Sequence, residues 1–169
     1  MDVKNNLIKE LNRSTRQFVE YMKTYAAQEI NSPFSGEKWN MVQLIEHVIL
    51  TDQTVIALLP QSFHKRKNGH YSKYQMRDML LNRREKIKNP KMVTPKLSED
   101  KSITEWLEDF KKQRQYLIDQ VSHDQYDLES EEAYPHFELG LLTRRDWLYL
   151  VCFHSDRHIA QVQEMLFCT

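Results

Sequence analysis

Glycine and proline are scarce: only 3 glycines and 5 prolines fall in 169 residues. That argues against folds built from many tight turns, such as a β-sandwich. Only two cysteines are present, Cys152 and Cys168, so a dense disulfide framework is excluded and a reduced, cytoplasmic protein is the simplest expectation. No apolar run approaches the roughly 20 residues needed to span a bilayer. The start, MDVKNNLIKELNR, is polar and takes on helical periodicity at once, unlike a secretory signal. Net charge is zero, with no zinc-finger spacing, glycine-rich phosphate loop or aromatic ribonucleoprotein motif. Neither a membrane nor a nucleic acid is therefore expected as a partner.

What is present is helical periodicity over a length suited to one domain, taken as 1–169. From about Asn5 to Gln28, Leu7, Leu11, Phe18, Tyr21, Met22 and Tyr25 recur mostly three or four apart and build one apolar stripe. Asn31-Ser32-Pro33 stops that helix and Gly36 loosens the connection. A second helix is predicted from its cap Asn40 to Leu59, ahead of Pro60, with Leu44, Val48, Val55, Leu58 and Leu59 inward. A short helix near Ser72 to Lys88 and an extended stretch with Pro90 and Pro95 follow. A third long helix runs from Ile103 to about Ser122 on Trp106, Leu107, Phe110, Leu117 and Val121. A fourth begins near Thr143, with Asp146 three residues on, and continues to about Leu166. Without good strand alternation, the expected fold is all-α: a four-helix bundle with a short extra helix or irregular segment between its second and third long helices.

The sharpest chemical feature is HSDRH, which places His154 and His158 on one helical face, one turn apart. Trp147, Leu150, Val151, Val162 and Met165 fall near the same side, so both imidazoles point to the core. Buried imidazole needs partners, and a shared metal ion satisfies both rings. Two ligands hold an ion weakly. His47, inward on the second helix with Leu44, Thr51 and Val55, is the best candidate for a third. Three histidines with a position left to water make an open, catalytic type of site. The donor set suits zinc, nickel, iron or copper. The competing structural reading makes them satisfied core residues.

Other reactive residues fit less well. The zinc-protease helix has H-E-x-x-H, with glutamate as base; Ser155 stands at that position here. Asp156 and Arg157 project away from the shared face, toward surface or supporting roles. Cys152 and His154 lie about 160° apart around an ideal helix, so Cys152 reads as a small buried hydrophobe and Cys168 as lightly packed. His64 and His70 sit in a basic stretch, His123 complements the end of its helix, and His136 follows a turn proline; none is expected to be a ligand. Between His64 and Lys91, ten Lys or Arg face two acids, Asp78 and Glu85. Such a run reads as a solvated face or as a site for an anionic ligand.

Taken in order, KWNMVQLIEHV around His47, the two-proline stretch leading into WLEDFKKQRQYL, YPHFELGLLT, and FHSDRHIAQVQEML with Gln161 resemble the DinB/YfiT-like proteins. That resemblance runs along most of the chain. It implies a bundle with up-down-down-up connections and a divalent metal, zinc or nickel ahead of iron or manganese, on His47, His154 and His158. Members with known activity are similar to thiol S-transferases, which join bacillithiol or mycothiol to an electrophile. The partners implied are thus a low-molecular-weight thiol and an electrophile, with a homodimer also expected. A thiol beside a divalent cation loses its proton near neutral pH, so no glutamate base is required. Arg114, which matches a recurrent arginine of that family, and the basic stretch are candidates to hold carboxylates of the thiol. Two other readings compete: a metal-dependent hydrolase that activates water, and a non-enzymatic metal-binding or interaction bundle marked by an exposed apolar face.

Overall fold

Capping chemistry sets where the helices begin. In the computed structural model, which describes residues 2–26, 39–61, 64–65, 69–82, 90–96 and 101–167, three helices start in reciprocal capping boxes. Asn40 accepts from the Gln43 N–H at 2.9 Å while Gln43 Oε1 accepts from the Asn40 N–H at 2.9 Å. Ser72 with Gln75 and Ser102 with Glu105 repeat the device. Each pair satisfies N–H groups that a helix leaves without an internal acceptor.

The long helices are α1 (Val3–Ala26), α2 (Met41–Leu58), α4 (Ile103–Ser122) and α5 (Arg144–Phe167), with the short α3 (Lys73–Leu81) between α2 and α4. The capped starts at Asn40, Ser72 and Thr143 lie where the sequence places them. α1 begins about two residues earlier than predicted. Gln28, the Asn31-Ser32-Pro33 stop and Gly36 lie outside the described residues, as do residues 83–89 of the predicted short helix. A 3-10 turn, Lys91–Val93, follows Pro90 and packs on α2.

One expectation needs correction. The segment from Glu132 to Thr143 is a β-hairpin rather than a turn between helices. β2 (Glu132–His136) pairs antiparallel with β3 (Gly140–Thr143), and β1 (His64–Lys65) joins the far edge of β2. The strands are too short for alternation to register, and Pro135 counts against a strand in any pattern reading. Gly140, at φ 76°, takes the left-handed conformation where β3 begins. β3 then runs straight into α5, so the hairpin fixes where that helix starts.

α1 packs on α4 and α5, and α2 packs on the same two helices. The four therefore close into a bundle with α1 and α2 on one diagonal. The core comes in two parts. One joins Leu7, Leu11, Val55, Leu59, Leu117, Val121 and residues 147–153; the other joins Phe18, Met22, Met41, Leu44, Ile45, Ile103, Leu107, Phe110 and Val162. The N-terminal halves of α1 and α5 thus lie level with the C-terminal halves of α2 and α4, which makes the bundle up-down-down-up.

Between the two apolar parts lies a polar layer, with one member on every long helix. Arg114 of α4 is fully buried. It donates to Asp52 of α2 (Nε to Oδ2 2.5 Å), Ser14 of α1 (3.2 Å), and both Ser155 Oγ (2.6 Å) and the Val151 carbonyl (2.8 Å) of α5. α2 is long and apolar enough to cross a membrane by length and composition, at mean hydropathy 1.3. Half of it is buried in the bundle, where it carries Glu46, His47 and Asp52 inward. Removing the carboxylate strands a buried guanidinium, so Asp52→Ala should cost about 3–5 kcal/mol of stability. Urea unfolding checks this, and Asp52→Leu combined with Arg114→Met should recover much of the loss.

Candidate metal centre

The polar layer delivers three imidazoles to one point. His47 of α2 and His154 and His158 of α5 place their Nε2 atoms together: His47 to His154 is 3.2 Å, and His154 to His158 is 3.0 Å. Their ligand atoms all lie within 4.8 Å of one another, the one such cluster among the described residues. His47 and His158 are buried and His154 is half-buried.

Outer contacts fix which nitrogen carries each proton. His47 Nδ1 lies 2.8 Å from the Val93 carbonyl oxygen, which can only accept, so Nδ1 carries the proton and Nε2 a lone pair. His158 Nδ1 donates to Gln161 Oε1 at 2.9 Å, one turn on along α5, leaving its Nε2 bare as well. Burial lowers the pKa of His47, with the bond to Val93 pulling the other way. His154 is pushed well below 6.5, by burial first and then by His158, His47, Arg114 and Arg157. Two lone pairs therefore face a third nitrogen that does not take up a second proton at neutral pH. His154 Nδ1 is buried with no hydrogen-bond partner among the described residues.

These residues fit a divalent cation. Ligand nitrogens about 2.0–2.1 Å from one ion, on adjacent tetrahedral or octahedral corners, stand about 3.0–3.4 Å apart, which brackets the two separations observed. The partners of His47 and His158 are the supports that orient metal-bound imidazoles. His154 lacks such a support here.

Beside the histidines is a cavity of about 280 Å³. His47 and His154 form part of its wall, with Leu58, Leu80, Met92, Phe137, Trp147 and Leu150 among the apolar remainder. Among the described residues no carboxylate lines it.

The other residues singled out in the sequence fall elsewhere. Arg114 is brought behind the histidines rather than into the cavity, with its donors spent on Asp52, Ser14, Ser155 and Val151; no part of it reaches solvent. Held there, it is placed to set the register of the site rather than to meet a ligand. Asp156 pairs with Arg13 of α1 at 2.6 Å. Arg157 is not a surface residue: it is buried and donates to the Leu80 and Asn82 carbonyls at 2.7 and 3.0 Å, capping the end of α3. Cys152 is fully buried, and Cys168 lies outside the described residues, as does the Met165 side chain. His123 closes α4 by bonding the Asp119 carbonyl. His70 ties Thr143 Oγ1 to the Glu129 carbonyl oxygen. The basic stretch is described only in part; within it Lys73 pairs with Glu10 at 2.5 Å. His136, set aside in the sequence as following a turn proline, lines the cavity. Only pairing the hairpin strands could have placed it there.

Residues 10–162 match the DinB superfamily. No curated protein matches the chain. Among solved structures, the chain is similar to the crystal structure of TT2238, described as a four-helix bundle protein, at 17% identity and a TM-score of 0.57, covering 95% of this chain and 98% of that one. At that identity the likeness is one of fold.

Elemental analysis of the purified chain should find about one divalent ion per chain, lost in His47→Ala and His154→Ala. Gln161→Leu should keep the fold and weaken metal affinity about 10–100-fold. A pH dependence also follows. Folded His154 binds a proton more weakly than the unfolded chain does, so acid favours unfolding once pH falls below the ordinary value of 6.5. In chelator, the stability of wild type relative to His154→Ala should therefore drop between pH 7 and pH 5, as followed by urea midpoints. Burial of Asp52 raises its carboxyl to about 6, an opposing trend that is common to both proteins and cancels in the difference.

Proposed function

The chain belongs to the DinB superfamily, and from that premise we propose that it is a metal-dependent enzyme joining a low-molecular-weight thiol to a small apolar electrophile. The observation that carries this reading is the cavity: two of the three converging histidines open on it, and no carboxylate lines it among the described residues.

A divalent ion on His47, His154 and His158, zinc or nickel before iron or manganese, would favour thiolate over thiol near neutral pH. The residues of the chain do the remaining work. Val93 and Gln161 hold two of the rings with Nε2 facing inward. Leu58, Leu80, Phe137, Trp147 and Leu150 receive the apolar body of the electrophile and exclude water from it. The S–C bond forms as the leaving group departs with its electron pair, and the proton of the thiol passes to solvent.

Two features favour transfer over hydrolysis. A glutamate base of the zinc-protease kind is missing, since Ser155 stands at that position, and Asp156 between the two α5 histidines is engaged elsewhere. Asp156 pairs with Arg13. Glu46, which is not among the residues lining the cavity, accepts from the Lys96 N–H at 3.1 Å through Oε1, while its Oε2 is buried with no partner among the described residues. The nucleophile must also come from outside. Cys152, the free cysteine among the described residues, is sealed in the core, and burial pushes its thiol up to about 12.

The test is a conjugation assay with the chain loaded in turn with zinc, nickel, iron and manganese. Bacillithiol, mycothiol or cysteine would serve as the thiol and monochlorobimane as a fluorogenic electrophile. The expected result is metal-dependent conjugation with at least one thiol, lost on chelation and in His154→Ala. Ester hydrolysis without any thiol, or no turnover with every thiol and metal, would overturn the reading.

A further inference from the structure

The cavity is apolar almost throughout, yet two of its lining residues, His136 and Trp147, carry N–H donors with no acceptor among the described residues. His136 is the last residue of β2. Its Nδ1 accepts two backbone N–H groups from the hairpin turn, Glu138 at 3.2 Å and Leu139 at 3.1 Å. Two donors converging on one nitrogen require that it carry no proton, so in the neutral ring the hydrogen sits on Nε2. That Nε2–H has no acceptor among the described residues. The ring is held flat against Phe137, with centroids 4.4 Å apart and planes at 27°, and lies 5.4 Å from the Trp147 ring. Trp147 also lines the cavity, and its Nε1–H is buried with no partner among the described residues.

An N–H on an apolar wall that no described side chain or carbonyl takes favours a ligand that brings the acceptor. We propose that His136, through Nε2–H and assisted by Trp147 Nε1–H, is a specificity-determining residue that selects cavity ligands carrying a neutral oxygen acceptor, such as a carbonyl or epoxide, on a small apolar body. Burial holds the pKa of His136 down to about 4, so the ring stays a neutral donor across the physiological range. The proposal rests on the reading of the cavity as the electrophile's site. As sulfur bonds to the carbonyl or epoxide carbon, the C=O π bond or ring C–O bond breaks and its electron pair goes to the oxygen this donor meets. A fixed N–H contributes most there, and that oxygen takes its proton from solvent. His136 is assigned no proton transfer.

Binding alone tests this, without turnover. Acetophenone and ethylbenzene have nearly the same apolar body and differ in one acceptor. Their affinities for the full chain are measured by NMR titration, beside the ¹⁵N shifts of the His136 ring. The expected result is a protonated Nε2 that shifts on adding acetophenone but not ethylbenzene, and tighter binding of the ketone relative to the hydrocarbon. His136→Asn keeps an acceptor near the Nδ1 position for the hairpin N–H pair but has no donor at the Nε2 position. It should fold and lose about fivefold of the ketone preference. Trp147→Phe should reduce the preference while leaving the ¹⁵N pattern unchanged. An unchanged preference in His136→Asn, a proton found on Nδ1, or no binding of the ketone would overturn the assignment. Failure of thiol conjugation with the ketone preference intact would sink the transferase reading alone. Conjugation without the preference would sink only the role of His136.

Discussion

A single buried ion pair sets the relation between the helices. Arg114 has no contact with water, and its guanidinium reaches Asp52 on α2, Ser14 on α1 and Ser155 on α5 from its own place on α4. Taking both charges out of water costs several kcal/mol, and their attraction offsets that only when geometry is good and the remaining donors are satisfied. Hydrogen bonds from Arg114 to Ser14, Ser155 and the Val151 carbonyl meet that condition. An apolar core tolerates sliding of one helix past another because its contacts are non-directional. A guanidinium with partners on three other helices does not. Sliding any helix by one turn would strand a charge or a hydroxyl, which is how the layer fixes register.

Register is what the metal centre needs. Ser155 lies next to His154, and Asp52 lies five residues beyond His47, so the contacts that satisfy Arg114 also bring α2 and α5 level at the histidines. The second half of the arrangement is proton placement. A main-chain carbonyl, which cannot donate, directs the Nε2 lone pair of His47 inward, and Gln161 does the same for His158. Without an ion, three mutually close nitrogens share at most a proton or two, in a place where burial disfavours protonation. With an ion, the same desolvation helps, since neutral imidazole is the ligand form. The features that make the cluster costly in an empty bundle are those that make it a ligand set.

Much of this was legible along the chain where physics is local. Asn40 and Thr143 announce helix starts because capping is a matter of three or four residues. The i, i+4 spacing of His154 and His158 follows from helical geometry alone. His47 could be picked out because it lies on the inward stripe of its own helix. What could not be read depends on contacts distant in sequence. Arg114 looks like a ligand-binding arginine until Asp52, 62 residues away, is seen to occupy it. Arg157 sits beside His158, yet its work is to cap α3, 75 to 77 residues earlier in the chain. The hairpin escaped notice because strands of five and four residues, one with a proline, carry too little alternation to compete with helical signals around them.

That hairpin matters more than its size implies. A bundle of four helices with a continuous apolar core has no reason to leave a cavity, and interiors normally pack without one. Here the core is interrupted by a polar layer, and beside that layer the wall is completed, apart from Leu80 of the short α3, by the hairpin and the 3-10 turn. Both are short, irregular elements that cannot fill the space as interlocking side chains on a helix would. The turn brings Val93 to His47, and the hairpin brings His136 and Phe137 to the opening. The division of labour is therefore physical. Rigid helices hold the nitrogens that must converge to a few tenths of an ångström, while the loops, freer to vary without disturbing register, shape what the cavity admits. Relatives sharing the histidines would on this argument differ in what their cavities admit mainly through residues equivalent in place to Met92, His136 and Phe137.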